Sequence, residues 1–237
     1  MSFTPKAEPS AAVQLEAPAR WEQRSTDRVI EAGRDQLLER SRKMVEAAYE
    51  LLDRDGLEGL TIRAVLNKTR LSRRAFYERF AGKDDLMLAV FEQTIRLATR
   101  LFAEQAAALP DPMQRLQMLV THIVLGKGAY ASADNRSSRR SAALSREHLR
   151  LAESRPHDLQ AALQPLIELI ARLLSDGMDA GAVRRTDPQR LAALVYNLVS
   201  TTVHTELLAH ESTPPDRSHR AELAADIWEF CRRAIAA

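Results

Sequence analysis

Hydrophobic residues recur at spacings of three and four along most of the chain from about Gln36, a pattern that predicts amphipathic helices. No segment shows a convincing two-residue alternation of the kind that is typical of strands. We therefore predict an all-α fold of about nine helices. The helices are expected at about 36–55, 62–69, 73–80, 84–109, 113–124, 147–153, 159–178, 188–210 and 216–235.

Glycine, proline and polar residues separate these segments. Gly56 is expected to end the first helix in a left-handed C-cap conformation, and Pro165 predicts a kink or a late start in the seventh. The polar, Arg/Ser-rich stretch 131–140 is predicted to be a loop. Three regions follow: a largely disordered N-terminal arm (1–35), a three-helix segment (36–83) and a longer C-terminal helical segment (84–237).

Two short helices separated by three residues, Ile62–Thr69 and Arg73–Phe80, are typical of a helix-turn-helix. Thr61 and Ser72 are the predicted N-caps, and capped helix N-termini favour phosphate. Arg73 and Arg74 lie in the first turn of the second helix, the part that enters a major groove, where arginine can bind guanine through two hydrogen bonds. Tyr77, one turn on, can donate to a phosphate.

Charge is concentrated in the same region. The 237-residue chain has a net charge of only +2, yet Thr61–Lys83 contains seven basic residues and one acidic residue, a net of +6. The remaining 27 basic and 31 acidic residues leave −4. A basic island of this kind indicates a polyanion site, and a solvated basic face is the alternative.

Several function classes lack support. One cysteine, Cys231, allows no intrachain disulfide and suits a reducing cytoplasm. No apolar run is long enough for a transmembrane helix, and the first twenty residues lack a signal-peptide core. The six histidines show no metal-ligand spacing, and no nucleotide loop or nucleophile elbow occurs. We expect a cytoplasmic protein that is not an enzyme and has no cofactor or metal.

The stretch Met44–Asp85 resembles the TetR (tetracycline-repressor-like) family. The residues that carry the resemblance are Met44–Ala48, Asp55–Leu57, Leu60–Arg63, Leu71–Phe80 and Gly82–Leu86. The resemblance implies an all-α dimer with a three-helix DNA-binding head (36–83) and a C-terminal ligand-binding and dimerisation domain (84–237). It also implies that a small molecule in the C-terminal domain moves the long helix and separates the two heads. By motif position it assigns DNA contacts to Thr61, Arg63, Arg73, Arg74, Tyr77 and Lys83.

Lys83 stands out because a cation at a helix start opposes the helix dipole. That placement is explained if a DNA phosphate lies beside the lysine. The alternative is that the side chain of Lys83 simply extends into water. Two positions depart from the family pattern, since Leu66 replaces a small residue and Arg70 replaces the usual glycine of the turn. We expect Arg70 to accept a strained turn and to add a phosphate contact, and Ser72 to join the DNA-binding set.

The N-terminal arm offers a second possible DNA contact. Arg20, Arg24 and Arg28 precede the first predicted helix, and basic arms can reach a minor groove. Acidic residues interleave with them, so a plain solvated segment is the alternative.

A dimeric reader of DNA needs a symmetric interface, and apolar stripes on the last two helices are the candidates. The predicted interface residues are Leu191, Leu194, Val195, Leu198, Val199, Thr202, Leu223, Ile227 and Phe230. Packing of these stripes within one subunit is the alternative.

The effector is predicted to bind among the middle helices. The candidate pocket residues are Leu97, Leu101, Met118, His122, Tyr130, Leu166, Ile170, Tyr196 and His204. Stripes of this kind also form ordinary cores. The sequence thus predicts a transcriptional regulator, a repressor released from a double-stranded operator by an unknown small molecule. A DNA-binding regulator without small-molecule control is the alternative.

Overall fold

The computed structural model describes residues 20–125, 135–209 and 217–237, and this part of the chain is helical. Its elements are α1 (Arg20–Gly59), α2 (Ile62–Thr69), α3 (Arg73–Tyr77), α4 (Lys83–Ala107), α5 (Pro112–Leu125), α6 (Asn135–Ser154), α7 (Pro156–Asp179), α8 (Pro188–Ala209) and α9 (Arg217–Ile235). The all-α prediction is confirmed. Within these ranges, no helix is both long enough and apolar enough to cross a membrane.

The first helix begins at Arg20, well before the predicted start at Gln36. Residues 20–35 lack a hydrophobic face, but half of them are good helix formers, and Gly33 is the only strong breaker among them. Leu37 and Leu38, which the periodicity placed inward, are exposed. The chain divides into two units after Arg42, and the second, Lys43–Ala237, contains the packed helices of the fold.

Two hydrophobic cores organise this unit. The head core joins the end of α1 to α2, α3 and the start of α4, and Phe76, Leu52 and Val65 are fully buried in it. The body core joins α4 to α9, with Leu119, Ile170 and Leu174 at its centre. The first turns of α4 belong to the head core and the rest of α4 to the body core, so one helix connects the two.

Two predictions in the body were wrong. Residues 135–140 are the start of α6 and not a loop, because an Arg- and Ser-rich stretch can form a helix when its neighbours pack on one face. The seventh helix starts at Pro156 and runs through Pro165, so that proline does not mark a late start. A proline in the first turn is tolerated because its missing N–H would have no intrahelical partner.

Candidate DNA-binding surface and cavity

Both short helices of the head begin at the predicted hydroxyl caps. The Thr61 Oγ1 accepts a hydrogen bond from the Ala64 N–H at 3.1 Å, and the Ser72 Oγ accepts one from the Ala75 N–H at 3.1 Å. The turn between them contains Arg70 at φ 56°, the left-handed conformation that usually selects glycine. Local chemistry therefore sets the start of each helix.

Hydrophobic contacts hold α3 from behind. Phe76 is fully buried, Ala75 and Phe80 are nearly so, and the Phe76 and Phe80 rings lie 5.5 Å apart between centroids. The opposite face of α3, which carries Arg73, Arg74 and Tyr77, is exposed in the described part of the chain. Seven predicted DNA-binding residues are exposed in this head: Thr61, Arg63, Arg70, Ser72, Arg73, Arg74 and Tyr77.

The exposed arginines of α3 have different surroundings. The Arg73 guanidinium carbon lies 5.8 Å from the centroid of the Tyr77 ring, a cation–π contact that limits the rotamers of both side chains. The Arg74 Nε donates to Glu78 Oε1 at 2.9 Å, and this hydrogen bond lowers the pKa of Glu78. Within the part of the chain that the structure describes, Arg73 therefore keeps its hydrogen-bond donors available, whereas Arg74 shares its charge with a carboxylate.

Lys83, the eighth predicted DNA contact, is half-buried. Its Nζ donates to the Leu57 carbonyl oxygen at 3.3 Å. That carbonyl follows Gly56, which interrupts α1 at φ 71°. The lysine thus links the start of α4 to the end of α1, which accounts for a cation in the first turn beside Asp84 and Asp85.

Arg79 has a structural role that sequence reasoning missed. Its side chain is buried, and its NH1 donates to the Ala75 carbonyl and lies 3.4 Å from Glu78 Oε2. The Nε is buried without a hydrogen-bond partner in the described part of the chain. Its spacing from Ala75 and Phe76 could have revealed this inward position.

The body contains a cavity of about 920 Å³. Six of the predicted pocket residues line it: Leu97, Leu101, His122, Leu166, Tyr196 and His204. Met118 and Ile170 do not, because both pack into the body core, where Ile170 is fully buried. Tyr130 lies outside the described residues. The lining is largely apolar, with the rings of Phe91 and Phe102 among its members.

A polar cluster forms one part of the cavity lining. The His204 Nδ1 lies 2.8 Å from the Ser145 Oγ, and the His204 and His148 rings are 4.4 Å apart between centroids. Burial and the neighbouring His148 lower the pKa of His204 to about 4, and burial lowers the pKa of His148. Both imidazoles are therefore neutral at physiological pH.

Sequence reasoning missed Ser145, His148 and Gln105, which also line the cavity. The signal available was weak, namely two polar residues three apart on one helix, at 145 and 148. The Gln105 Oε1 and the His204 Nε2 are buried and have no hydrogen-bond partner among the residues described. Tyr196 is better satisfied, with a hydrogen bond to Ser200.

The helix-turn-helix and its flanks also match a known family. Residues 44–90 match the model described as bacterial regulatory proteins, tetR family. The match covers the helix-turn-helix and its flanks, so this part of the chain is similar to the tetR family. DNA-binding transcription regulation is the function that this similarity supports. No curated protein sequence matches the chain.

Solved structures share the fold of this chain at low identity. A TetR-family regulator from Pectobacterium atrosepticum is 18% identical with a TM-score of 0.68, over 86% of this chain and 97% of that one. RolR, solved with resorcinol, is 14% identical with a TM-score of 0.63, over 84% and 94%. FadR from Bacillus subtilis, solved with stearoyl-CoA, is 14% identical with a TM-score of 0.60, over 80% and 96%.

Two arginines of the body pair with acids at the start of α4. The Arg150 NH1 lies 3.1 Å from Asp84 Oδ2, and the Arg155 NH1 lies 3.2 Å from Asp85 Oδ1. Asp85 also accepts a hydrogen bond from the Ala81 N–H. Ion pairs therefore join the last turns of α6 and the start of α7 to the start of α4.

The predicted dimer stripe divides into two sets. Four members are buried in the core of their own subunit: Leu191, Val195, Val199 and Ile227. Thr202 and Leu223 are half-buried. The exposed members are Leu194 (59%), Leu198 and Phe230 (63%), which remain as candidates for an interface.

Proposed function

We propose that the protein is a repressor that binds its operator as a homodimer and is released by a small molecule bound in the cavity. The observation that carries this proposal is the double role of α4. Leu86, Met87 and Val90 pack in the head core, whereas residues between Phe91 and Gln105 line the cavity. A displacement of α4 by a ligand would therefore act on the head that bears α3.

The exposed face of α3 supports the DNA-binding half of the proposal. Arg73 and Arg74 are the candidates for base reading in the major groove, and Tyr77 is one turn further along the same face. The hydroxyls of Thr61 and Ser72 and the cations of Arg63, Arg70 and Lys83 are proposed to contact phosphates. Because Arg74 is paired with Glu78, we assign the larger share of base discrimination to Arg73.

Leu144 of α6 supports the coupling between cavity and head. It lines the cavity and packs against both hydrophobic cores. Six residues further along α6, Arg150 pairs with Asp84 at the start of α4. A ligand that displaces α6 would therefore move both a side chain that packs against the head core and an ion pair at the start of α4.

The exposed apolar residues Leu194, Leu198 and Phe230 support the dimer. Large apolar side chains of this exposure on two helices are typical of a surface that a second copy covers. A twofold dimer places its two α3 helices on successive faces of the duplex, about 34–36 Å apart. The operator is then a palindrome with half-sites about one helical turn apart.

Selection of bound duplexes from a random pool tests the DNA-binding half. We expect an inverted repeat with that spacing, and recovery of no common sequence would contradict the proposal. Arg73→Ala should weaken binding to the selected duplex by about 1–3 kcal/mol and binding to random duplex far less. Arg96→Ala, an equal charge change at an exposed position on α4, is the matched control. Equal losses on both duplexes would reject base reading by Arg73.

A further inference from the structure

The chemical groups of the cavity lining are unevenly distributed. The polar cluster of Ser145, His148 and His204 is carried by α6 and α8. The charged lining residues, Arg100, Glu104 and Arg220, belong to α4 and α9 instead. A ligand group beside the polar cluster would thus meet a hydroxyl and two imidazoles.

These surroundings disfavour an ionised ligand group at the polar cluster. Both imidazoles are neutral at physiological pH, so neither supplies a counter-ion for a carboxylate. Transfer of a carboxylate from water to such a place is costly without a cation. Arg100 and Glu104 are exposed, where ion pairs contribute little, and Arg220 already interacts with another group of the protein.

The hydrogen-bond requirements of His204 narrow the choice further. Its Nδ1 is paired with Ser145, and its Nε2 is buried without a partner within the described residues. If Ser145 donates to Nδ1, the Nε2 carries the proton and needs an acceptor; if Ser145 accepts, the Nε2 needs a donor. A hydroxyl group satisfies either tautomer because it both donates and accepts.

Gln105 adds a second requirement of the same kind. Its buried Oε1 has no hydrogen-bond donor among the residues described, and only a group that carries a proton can supply one. A pure hydrocarbon would leave both atoms unsatisfied, and a carboxylate could not donate to Gln105. A hydroxyl-bearing molecule meets both needs, and the apolar walls accommodate the rest of it.

We infer that the cavity binds an uncharged, largely apolar molecule whose hydroxyl group hydrogen bonds to the Nε2 of His204. That this molecule is also the effector rests on the proposed function, whereas its chemical class does not. The size of the cavity, about 920 Å³, admits a ligand of drug size, and a fused aromatic alcohol serves as a minimal probe.

Three probes of one ring system test the inference by calorimetric titration of the full chain: 2-naphthol, 2-methylnaphthalene and 2-naphthoate. The first is an uncharged hydroxyl compound, the second its hydrocarbon isostere and the third an anion. We expect the dissociation constant of 2-naphthol to be at least about 10-fold below those of the other two. Tightest binding of 2-naphthoate, equal binding of the first two probes or no binding of 2-naphthol would each overturn the inference.

Variants then locate the hydroxyl. His204→Phe should reduce the preference for 2-naphthol over 2-methylnaphthalene to less than about 3-fold while the hydrocarbon still binds. His157→Phe, at an exposed histidine of α7 that does not line the cavity, is the matched control and should keep the preference. An unchanged preference in a folded His204→Phe variant would reject the assigned contact. If that variant does not fold, the ranking of probes on the unaltered protein still decides the ligand class.

Operator binding in the presence of each probe separates this inference from the proposed function. If 2-naphthol binds with the expected preference and operator affinity does not change, the ligand class is upheld and release by ligand is rejected. If 2-naphthoate binds more tightly and releases the operator, the proposed function is upheld and the ligand class is rejected.

Discussion

The substitution Arg150→Met should destabilise the protein far more than the same substitution at Arg155. Arg150 donates through NH2 and Nε to both carboxylate oxygens of Glu147, the second contact measuring 3.0 Å. The Glu147 side chain is only 6% exposed. Arg155 instead pairs with Asp158 and Asp85, whose side chains are 48% and 32% exposed.

The expected magnitudes follow from the burial of the acid. Removal of the partner of a buried carboxylate costs about 3–5 kcal/mol, and because Arg150 is itself 39% exposed, water reduces this to about 2–3 kcal/mol. Loss of the more exposed pairs of Arg155 should cost about 0.5–1 kcal/mol. In both variants the methionine side chain replaces much of the aliphatic stem of the arginine. The comparison of the two variants therefore reports mainly the loss of charge.

Urea denaturation of both variants measures the difference directly, and Glu147→Gln combined with Arg150→Met is the decisive control. Because the double variant no longer buries a charge, it should recover most of the lost free energy of unfolding. Losses of similar, small size at Arg150 and Arg155, or a double variant no more stable than Arg150→Met, would show that the Glu147 carboxylate carries no such penalty.

Three further outcomes are expected. Ser72→Ala removes the acceptor for the Ala75 N–H and should lower the free energy of unfolding by about 1 kcal/mol in urea titrations; no loss would mean that another group caps α3. Because folding lowers the pKa of His204 from 6.5 to about 4, the unfolded chain takes up the proton first, and stability should fall as pH drops through that window, by about 2 kcal/mol at pH 5. His204→Phe should reduce this dependence, and an unaltered pH profile would contradict the assignment. Phe230→Glu should yield monomers in sedimentation experiments while Leu149→Glu, another exposed site, does not; a Phe230→Glu dimer would exclude that face.

The head could be predicted closely because its signals are local. The cap at Thr61 and its N–H partner at Ala64 are three residues apart, as are Ser72 and Ala75, and the predicted bounds of α2 match the observed ones. The left-handed turn at Arg70 was likewise expected from a position where related sequences use glycine. Such features depend on a few neighbouring residues and little on the rest of the fold.

The polar cluster of the cavity could not be predicted in the same way. Ser145 and His204 meet across 59 positions of sequence, and neither residue type signals its partner. Only the packing of α6 against α8 brings them together. Lys83 is a similar case, because its bond to the Leu57 carbonyl depends on how α4 meets the end of α1.

The apolar stripe of α8 shows a different limit of sequence reasoning. Leu191 and Val195 point into the subunit, while Leu194 and Leu198 remain exposed, although all four fit one helical pattern. A stripe wide enough to cover both directions gives no information on which edge faces a partner. The exposed edge becomes visible only once the packing of the other helices is known.

At Arg70, the left-handed backbone favours glycine, whereas the proposed DNA contact favours a cationic side chain. Glycine there would relieve about 1 kcal/mol of conformational strain, yet it would remove a cation from the face proposed to meet DNA. Variation at this residue would therefore trade the robustness of the fold against attraction to the duplex, and selection for one property would erode the other.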